Sequence, residues 1–169
     1  MTSMEKFRKI IFFITLFFTF NFTNLYSEVV NKVEIQGNER ISSETIMIFG
    51  DIALGKNYEK SDISLIIKKL YQTTFFSNIS AELTNNKLII IVSENPIVNT
   101  IIFEGEKAEK YTEKIREILS VREKGSFVST NVTKDINHIK SFYRMLGHYF
   151  VKIDAEVQKL EKNKVNIIY

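Results

Sequence analysis

Hydrophobic and polar positions follow the same order of periods twice along this chain. Each half begins with a stretch that alternates as a half-buried strand does, continues with two segments of helical spacing, and ends with two strand-like segments. The chain is therefore predicted to contain two copies of one unit, each with a strand, two helices and two further strands. The clearest matches between the copies are Val33-x-Ile35-x-Gly37 with Ile101-x-Phe103-x-Gly105, and Phe76-Ser77-Asn78-Ile79 with Phe150-Val151-Lys152-Ile153.

Two helices are predicted in the first unit. A short helix is capped by Ser42 or Ser43 and runs to about Phe49. Ser61 is expected to cap a longer helix that has Asp62 in its first turn. The apolar residues of this longer helix fit the template of one buried helical face: Ile63, Ile66, Ile67, Leu70 and Tyr71.

The strands that follow predict the order of the first sheet. Residues 78–84 alternate, and Asn85-Asn86 is typical of a tight hairpin turn. Leu88 to Val92 is apolar at every position, which favours a strand with neighbours on both sides. We therefore expect Leu88 to Val92 at the centre of a three-stranded sheet. The first strand then pairs on its far side after a helical crossover, and the strand 78–84 lies at an edge.

The second unit repeats these features. Its hairpin turn is predicted at Lys162-Asn163, and its last strand runs from Val165 to Tyr169, either complete or cut short. Gly147 is placed to end the second helix. The apolar positions of its two helices are Tyr111, Ile115, Ile118 and Leu119, and then Val132, Ile136, Ile139, Tyr143 and Leu146. The predicted fold is α+β: two tandem β-α-α-β-β units, each a three-stranded mixed sheet covered by two helices. With a boundary at Pro96, the units occupy residues 28–95 and 96–169.

Residues 1–27 are predicted to be a signal peptide. Three basic residues precede an apolar run from Ile10 to Phe20 that only threonines interrupt. A run of 11 residues suits a signal-peptide core, whereas a membrane span needs about 20. Cleavage is expected between Ser27 and Glu28, and an uncleaved N-terminal anchor is the alternative.

Composition and charge narrow the chemistry. Of 169 residues, 44% are hydrophobic and 25% charged, as in an ordinary globular protein. The net charge is +3, and three basic residues against Glu5 place +2 of it in the predicted signal peptide, so a nucleic-acid partner is not expected. The chain has no Cys, two His and six Gly, and it has none of the common nucleotide-binding, hydrolase or zinc motifs. We therefore expect no enzyme activity, metal or cofactor.

Two pairs of residues occupy matched positions in the two units. Asp62 and Asp135 form either a paired acid or, as we expect, charges at the N-termini of two helices. Tyr71 and Tyr143 are expected to pack beneath the helices and not to stack on a base or a sugar.

These stretches and their order resemble POTRA domains. The similarity is greatest to the N-terminal periplasmic region of BamA-type outer-membrane protein assembly factors, and it covers residues 28–169. The stretches that carry it are Val33 to Asn38, Ile63 to Ile79, and Leu88 to Pro96 leading into Ile101 to Gly105. The Glu94-x-Pro96 junction is the most specific of them.

The resemblance implies a scaffold function. In this family POTRA units receive unfolded outer-membrane proteins in the periplasm and bind accessory lipoproteins, and a β-barrel then inserts the clients into the outer membrane. Because 169 residues leave no room for a barrel, the resemblance implies a truncated copy or a short periplasmic relative. In a truncated copy, further POTRA domains and a β-barrel are expected as partners. The alternatives are the POTRA region of a two-partner secretion transporter and an FtsQ-like, membrane-anchored cell-division protein.

β-Augmentation is the binding mechanism that the predicted sheets offer, because an edge strand presents free backbone groups to any extended polypeptide. The alternative is that both edges are only solvated, with charged side chains such as Glu82 discouraging aggregation. The candidate binding residues are Asn78, Ile79, Ser80, Ala81, Glu82, Leu83 and Thr84 in the first unit, and Val151, Lys152, Ile153, Asp154, Ala155, Glu156 and Val157 in the second.

Overall fold

The structure is a computed structural model that describes residues 28–169. The predicted signal peptide, including Ser27, lies outside the described residues, and Glu28 begins the first described strand. Between residues 28 and 169, none of the helices combines the length and the apolar content that crossing a bilayer requires.

The described elements form two β-α-α-β-β units, and the predicted α+β fold class is confirmed. The first unit contains β1 (Glu28–Val29), β2 (Lys32–Gln36), α1 (Ser43–Gly50), β3 (Asn57–Tyr58), α2 (Lys60–Gln72), β4 (Phe76–Thr84) and β5 (Lys87–Glu94). The second unit contains β6 (Ile97–Ile102), α3 (Glu109–Ile118), α4 (Ser129–Met145), β7 (Glu156–Leu160) and β8 (Lys164–Ile168). The exact boundary at Pro96 stays a prediction.

In each unit the strand that comes last in the sequence lies in the middle of a three-stranded sheet. The strand orders are β2-β5-β4 and β6-β8-β7. The central strand pairs in parallel with the first strand and antiparallel with its hairpin partner. Parallel pairing requires a long crossover connection, which the two helices of each unit provide. The predicted central position of Leu88 to Val92 is thus confirmed.

The core of the first unit lies between the helices and one face of its sheet. Leu88, Ile90 and Val92 of β5 are at most 2% exposed, and they belong to one cluster with Ile66 and Leu70 of α2. Ile91, on the opposite face of β5, is 47% exposed. The unbroken apolar run of β5 therefore reflects its central position in the sheet and not burial on both faces.

Turn residues fix the register of the first sheet. Asn85 and Asn86 both have positive φ angles, 53° and 62°, as a two-residue type I′ hairpin turn requires. Gly37 ends β2 at φ 79°, where an added Cβ would lie 2.2 Å from the carbonyl oxygen of Val92. Only glycine fits this position. The hairpin turn predicted at Lys162-Asn163 is also confirmed, with φ angles of 57° and 50°.

A two-stranded sheet in the first unit was not expected. Residues Glu28 and Val29 do not start the first strand of the main sheet, because β1 pairs antiparallel with β3 instead. The pairing buries Val30 and Tyr58, and the Tyr58 hydroxyl exchanges hydrogen bonds with the backbone of Ala53. Each strand has only two residues, too few to show any period.

The caps of the first two helices differ in how well they were predicted. Ser42 is the N-cap of α1 and its side chain accepts a hydrogen bond from Thr45 N–H, as expected. The cap of α2 is Glu59 and not Ser61, and it forms a capping box with Asp62. Asp62 therefore lies in the first turn of α2, where the sequence placed it.

The edge strand of the second unit is shorter than predicted. Val151, Lys152, Ile153, Asp154 and Ala155 lie outside any strand, and β7 begins only at Glu156. The last rung between β7 and β8 joins Glu156 to Ile168, so the preceding residues lie past the end of the ladder. Ile153 and Ala155 nevertheless pack against the core, which explains why their sequence alternates as a strand does.

Asp135 is a buried carboxylate and not a charge at a helix N-terminus. It lies in the middle of α4 and is 0% exposed. Its carboxylate accepts hydrogen bonds from the N–H groups of Ser120, at 2.5 Å, and Val121, at 3.0 Å, and from the Tyr169 hydroxyl, at 3.0 Å. Asp135 thereby joins α4 to the turn after α3 and to the end of the central strand. Burial raises the pKa of the Tyr169 hydroxyl, and the negative charge and hydrogen bond of Asp135 raise it further.

We predict that Asp135→Asn lowers the free energy of unfolding of the second unit by about 1–3 kcal/mol, because one buried donor then lacks an acceptor. Chemical denaturation measures the loss of stability, and residue-resolved hydrogen exchange shows in which unit it occurs. Asp62→Asn is the matched control, because the Asn side-chain oxygen can still accept the exposed hydrogen bond from Glu59 N–H, and a smaller loss is expected. Equal losses in the two variants would contradict the structural role assigned to Asp135.

Candidate functional site

The strand β4 is an edge strand with nine residues, and β5 pairs with only one of its sides. Thr84 and Lys87 flank the two-residue turn and pair with each other. Since hydrogen-bonded and non-hydrogen-bonded pairs alternate in an antiparallel ladder, Ser80 and Glu82 direct their backbone groups to β5. The backbone N–H and C=O groups of Ile79, Ala81 and Leu83 therefore face away from the sheet.

The first of these outward groups already has a partner. Ile79 N–H donates a hydrogen bond of 3.1 Å to the hydroxyl of Tyr71, which comes from α2. Tyr71 was expected to pack beneath the helix, but it is 42% exposed and covers the start of the edge. The part of β4 that remains open for pairing is thus centred on Ala81 and Leu83.

A groove of about 450 Å³ runs between α2 and this open part of β4. Its walls are apolar where the helix and the strand face each other, at Ile63, Ile67, Ala81 and Leu83, and Tyr58 contributes a further wall. Its polar lining residues are Glu59, Lys60, Ser64 and Glu82. An extended chain paired to β4 would place every second side chain over this groove.

Glu82 is the charged residue of the open edge. Its side chain is exposed and accepts a hydrogen bond from the Thr84 hydroxyl at 2.9 Å. The adjacent face of the sheet also carries an ion pair of 2.5 Å between Lys87 Nζ and Glu34 Oε2. A hydrogen bond from Lys87 is the main cause that lowers the pKa of the Glu34 carboxyl. This face therefore carries charged side chains beside the exposed Ile91, in contrast to the apolar walls of the groove.

The second predicted edge is built differently. All five residues of β7 are exposed, and of the seven predicted residues only Glu156 and Val157 belong to the strand. Beside the segment that precedes β7 lies a cavity of about 250 Å³ lined by Tyr143, Ile153 and Tyr169, among others. The Tyr143 hydroxyl donates a hydrogen bond of 2.5 Å to Glu106. This bond is the main cause that lowers the pKa of Glu106, while burial, followed by Glu106, raises the pKa of Tyr143.

The second unit is recognised by a family model. Residues 96–169 match the POTRA family, described as "Surface antigen variable number repeat". The chain resembles tandem POTRA domains of BamA-type proteins.

Two curated relatives match most of the described chain. One is "Outer membrane protein assembly factor BamA" of Neisseria meningitidis serogroup B (strain ATCC BAA-335 / MC58), 24% identical over 140 residues that cover 82% of this chain and 18% of the relative. The other is the assembly factor BamA of Neorickettsia risticii (strain Illinois), 23% identical over 142 residues that cover 84% of this chain and 19% of the relative. The chain thus spans about a fifth of the length of these relatives.

Solved structures share the fold. The N-terminal domain of Omp85 from the thermophilic cyanobacterium Thermosynechococcus elongatus aligns with a TM-score of 0.56 at 16% identity, covering 85% of this chain and 62% of that chain. The first two POTRA domains of the periplasmic domain of Omp85 from Anabaena align with a TM-score of 0.51 at 16% identity, covering 86% of this chain and 96% of that chain. The second alignment shows that two tandem POTRA domains have this arrangement of strands and helices.

The junction that carries the most specific part of the POTRA resemblance is held by a carboxylate. Glu94 Oε1 accepts hydrogen bonds from three successive N–H groups, those of Glu39, Arg40 and Ile41, at 3.0, 2.9 and 2.8 Å. Its side chain is 4% exposed, and Arg40 Nε lies 3.4 Å from Oε2. Glu94 therefore fastens the loop between β2 and α1 to the end of the central strand, so its role in this POTRA-like unit is structural.

The Tyr71 hydroxyl is predicted to protect the Ile79 amide. Tyr71→Phe removes the acceptor and leaves the ring, so the Ile79 amide should exchange with solvent faster. The free energy of unfolding should fall by about 0.5–1.5 kcal/mol, the net contribution of one hydrogen bond. Residue-resolved hydrogen exchange by NMR measures the effect, and Tyr149→Phe, at an exposed tyrosine of the second unit, is the matched control. Unchanged exchange at Ile79 would show that the hydroxyl does not cover the edge.

Glu94→Ala is predicted to release the loop that follows β2. The amides of residues 39–41 should lose protection from hydrogen exchange, and the first unit should lose roughly 1–3 kcal/mol of its free energy of unfolding because three N–H groups lose the nearly buried carboxylate that accepts their hydrogen bonds. Glu39→Ala is the control, since it alters an exposed side chain of the same loop and leaves its amide in place. Similar protection in both variants would argue against the proposed fastening.

Proposed function

We propose that this chain is the periplasmic POTRA scaffold of an outer-membrane protein assembly factor, and that it binds extended polypeptides by β-augmentation at β4. The coarser part, a BamA-type POTRA region, rests on the family match and on the relatives described above. The more specific part of the proposal is that this region binds unfolded clients or accessory proteins. One observation carries it: an open strand edge that lies beside an apolar groove.

The backbone of β4 supports pairing with a further strand. Ala81 and Leu83 direct their N–H and C=O groups away from β5, and Ile79 is engaged by Tyr71. Backbone pairing makes little demand on the sequence of the added strand. A scaffold that receives many different membrane proteins needs this tolerance, since such clients share strand-forming segments and not one sequence.

The groove supports a preference for chains of alternating polarity. Ala81 and Leu83 contribute their side chains to the groove and their backbone to the edge. An added strand would place its apolar residues over Ile63 and Ile67 and its polar residues on the solvated face near Glu82. Strands of outer-membrane proteins alternate in this way. We therefore infer weak binding with a loose preference for alternating sequences.

The location and the partners follow from the same proposal. The relatives are named as outer-membrane assembly factors, and one solved neighbour is the periplasmic domain of Omp85. We place this chain in the periplasm, associated with the outer membrane, with unfolded outer-membrane proteins, accessory lipoproteins and other POTRA domains with their β-barrel as partners. Glu156 and Val157 of β7 are the secondary edge of this proposal.

NMR titration tests the binding edge. The probe is a synthetic peptide of about ten residues that alternates valine and threonine, the length of one outer-membrane strand. Amide shifts should cluster on Ile79 to Thr84. Ala81→Pro removes one outward donor at an edge, where proline is tolerated, and should weaken binding roughly three- to tenfold, the equivalent of one net hydrogen bond.

Two controls separate backbone pairing from side-chain effects. Glu82→Ala changes a side chain of the same strand and should leave binding nearly unchanged. Because a proline can disturb β4 itself, the unaltered chain is also titrated with the same peptide carrying N-methyl groups on all its amides, which should not bind. Shifts confined to the helix Asp62 to Tyr71, or equal binding of the methylated peptide, would show that the site is not a strand edge.

A further inference from the structure

The turn after α4 exposes a group of large apolar side chains. We call residues Met145–Phe150 the tip. Its apolar residues are Met145, 79% exposed, Leu146, 42%, Tyr149, 69%, and Phe150, 101%. Leu146 was predicted to lie on the buried face of the helix, which makes its exposure a correction. Apolar side chains that are exposed together mark an interaction surface more often than single ones do.

The matched position in the first unit behaves in the opposite way. Phe76 and Phe150 begin the repeated stretch in their units, yet Phe76 is 3% exposed and lies in the core. In the first unit the strand β4 starts at this position, and the aromatic side chain is buried. In the second unit the strand starts later, at Glu156, and the aromatic residue is left on the surface.

Hydrogen bonds define the backbone of the tip. Gly147 has a φ of 88°, and its N–H donates to the carbonyl oxygen of Arg144 at 3.0 Å. His148 N–H donates to the carbonyl oxygen of Tyr143 at 2.9 Å, which completes a Schellman motif. The His148 ring also lies edge-on to Tyr143, with the ring centres 6.2 Å apart. The apolar side chains are thus presented by a hydrogen-bonded turn.

Basic residues precede and follow the tip in the sequence. Between Asp135 and Asp154 the sequence has no acidic residue, its lysine and arginine residues are Lys140, Arg144 and Lys152, and it also contains His138 and His148. Lys152 is paired with Asp154 at 3.1 Å. Within residues 28–169, Arg144 forms no ion pair. Glu106, the other carboxylate nearby, accepts the Tyr143 hydroxyl.

We propose that the tip docks the second unit on a lipid surface that carries anionic headgroups. Aromatic and aliphatic side chains beside basic residues are the composition of segments that lie in the membrane interface. The basic residues then meet headgroup phosphates while Tyr149 and Phe150 enter the boundary with the acyl chains. This inference does not depend on binding at β4.

Tryptophan fluorescence tests the docking at one residue, because the chain contains no tryptophan. Phe150→Trp reports on the tip, and Leu54→Trp reports on an exposed loop of the first unit. The full chain is mixed with vesicles of phosphatidylglycerol and phosphatidylethanolamine, or of phosphatidylcholine alone, in which part of the lipid carries brominated acyl chains. Both variants keep the N-terminal apolar run, so its own membrane binding affects them equally.

The tip residue should respond alone. With anionic vesicles the emission of Phe150→Trp should shift to the blue and be quenched by the bromolipid, while the emission of Leu54→Trp should not change. Adding Arg144→Gln to Phe150→Trp should lower the ratio of inserted to free tip about fivefold, as expected for one basic residue near an anionic surface. Lys68→Gln, at an exposed lysine of α2, is the matched control and should have no effect.

Four results would overturn the proposal. The first is an unchanged emission of Phe150→Trp on anionic vesicles at low salt, and the second is equal quenching of both tryptophans. The third is a blue shift that appears without lipid and grows with protein concentration, which would assign the tip to a contact between copies of the chain. The fourth, equal quenching on phosphatidylcholine, would remove the requirement for anionic headgroups.

Discussion

Each sheet is completed by the strand that arrives last in the sequence and enters between the two earlier ones. In the first unit, β5 supplies Leu88, Ile90 and Val92 to the core and hydrogen-bonds on both sides. Neither β2 nor β4 pairs with the other, so the main sheet holds together only through β5. The same arrangement leaves β4, which comes between β2 and β5 in the sequence, at an edge of the sheet with one unpaired side. The core and the candidate binding edge therefore come from one topological constraint.

In each unit a buried carboxylate joins a loop to the rest of the unit by hydrogen bonds. The two units place this carboxylate at different positions of the fold. Glu94 collects three N–H groups from a loop more than fifty residues earlier in the sequence. Asp135, within a helix, accepts hydrogen bonds from two successive N–H groups of a turn. It also accepts one from the Tyr169 hydroxyl at the end of the central strand. Asp62, which matches Asp135 in the sequence repeat, only closes a capping box. The repeat therefore preserves the apolar pattern of the fold and not its polar contacts.

What could be predicted from the sequence depends on local signals. The central position of Leu88 to Val92 and the hairpin turn at Asn85-Asn86 were predictable because the hydrophobic pattern of a strand and the residue types of a turn depend on adjacent residues alone. The hydrogen bond between Tyr71 and Ile79 was not, since it joins side chain to backbone across a helix and a strand. At Val151 to Ala155 the alternation predicted a strand, whereas Ile153 and Ala155 pack against the core without pairing, because pairing depends on where the partner strand β8 lies. The free edge of β4 was thus foreseen, and the groove beside it was not.

The two units show how one pattern leads to two surfaces. In the first unit the aromatic residues after α2 are used in packing: Phe76 is in the core, and Phe75 packs against Phe49 with ring centres 5.6 Å apart. The strand then starts at once and presents a long edge beside a groove. In the second unit the strand is delayed to Glu156, so the edge is short and Phe150 remains on the surface. The starting residue of the edge strand therefore sets how long that edge is and whether the aromatic residue before it is buried, while the sheet order stays the same.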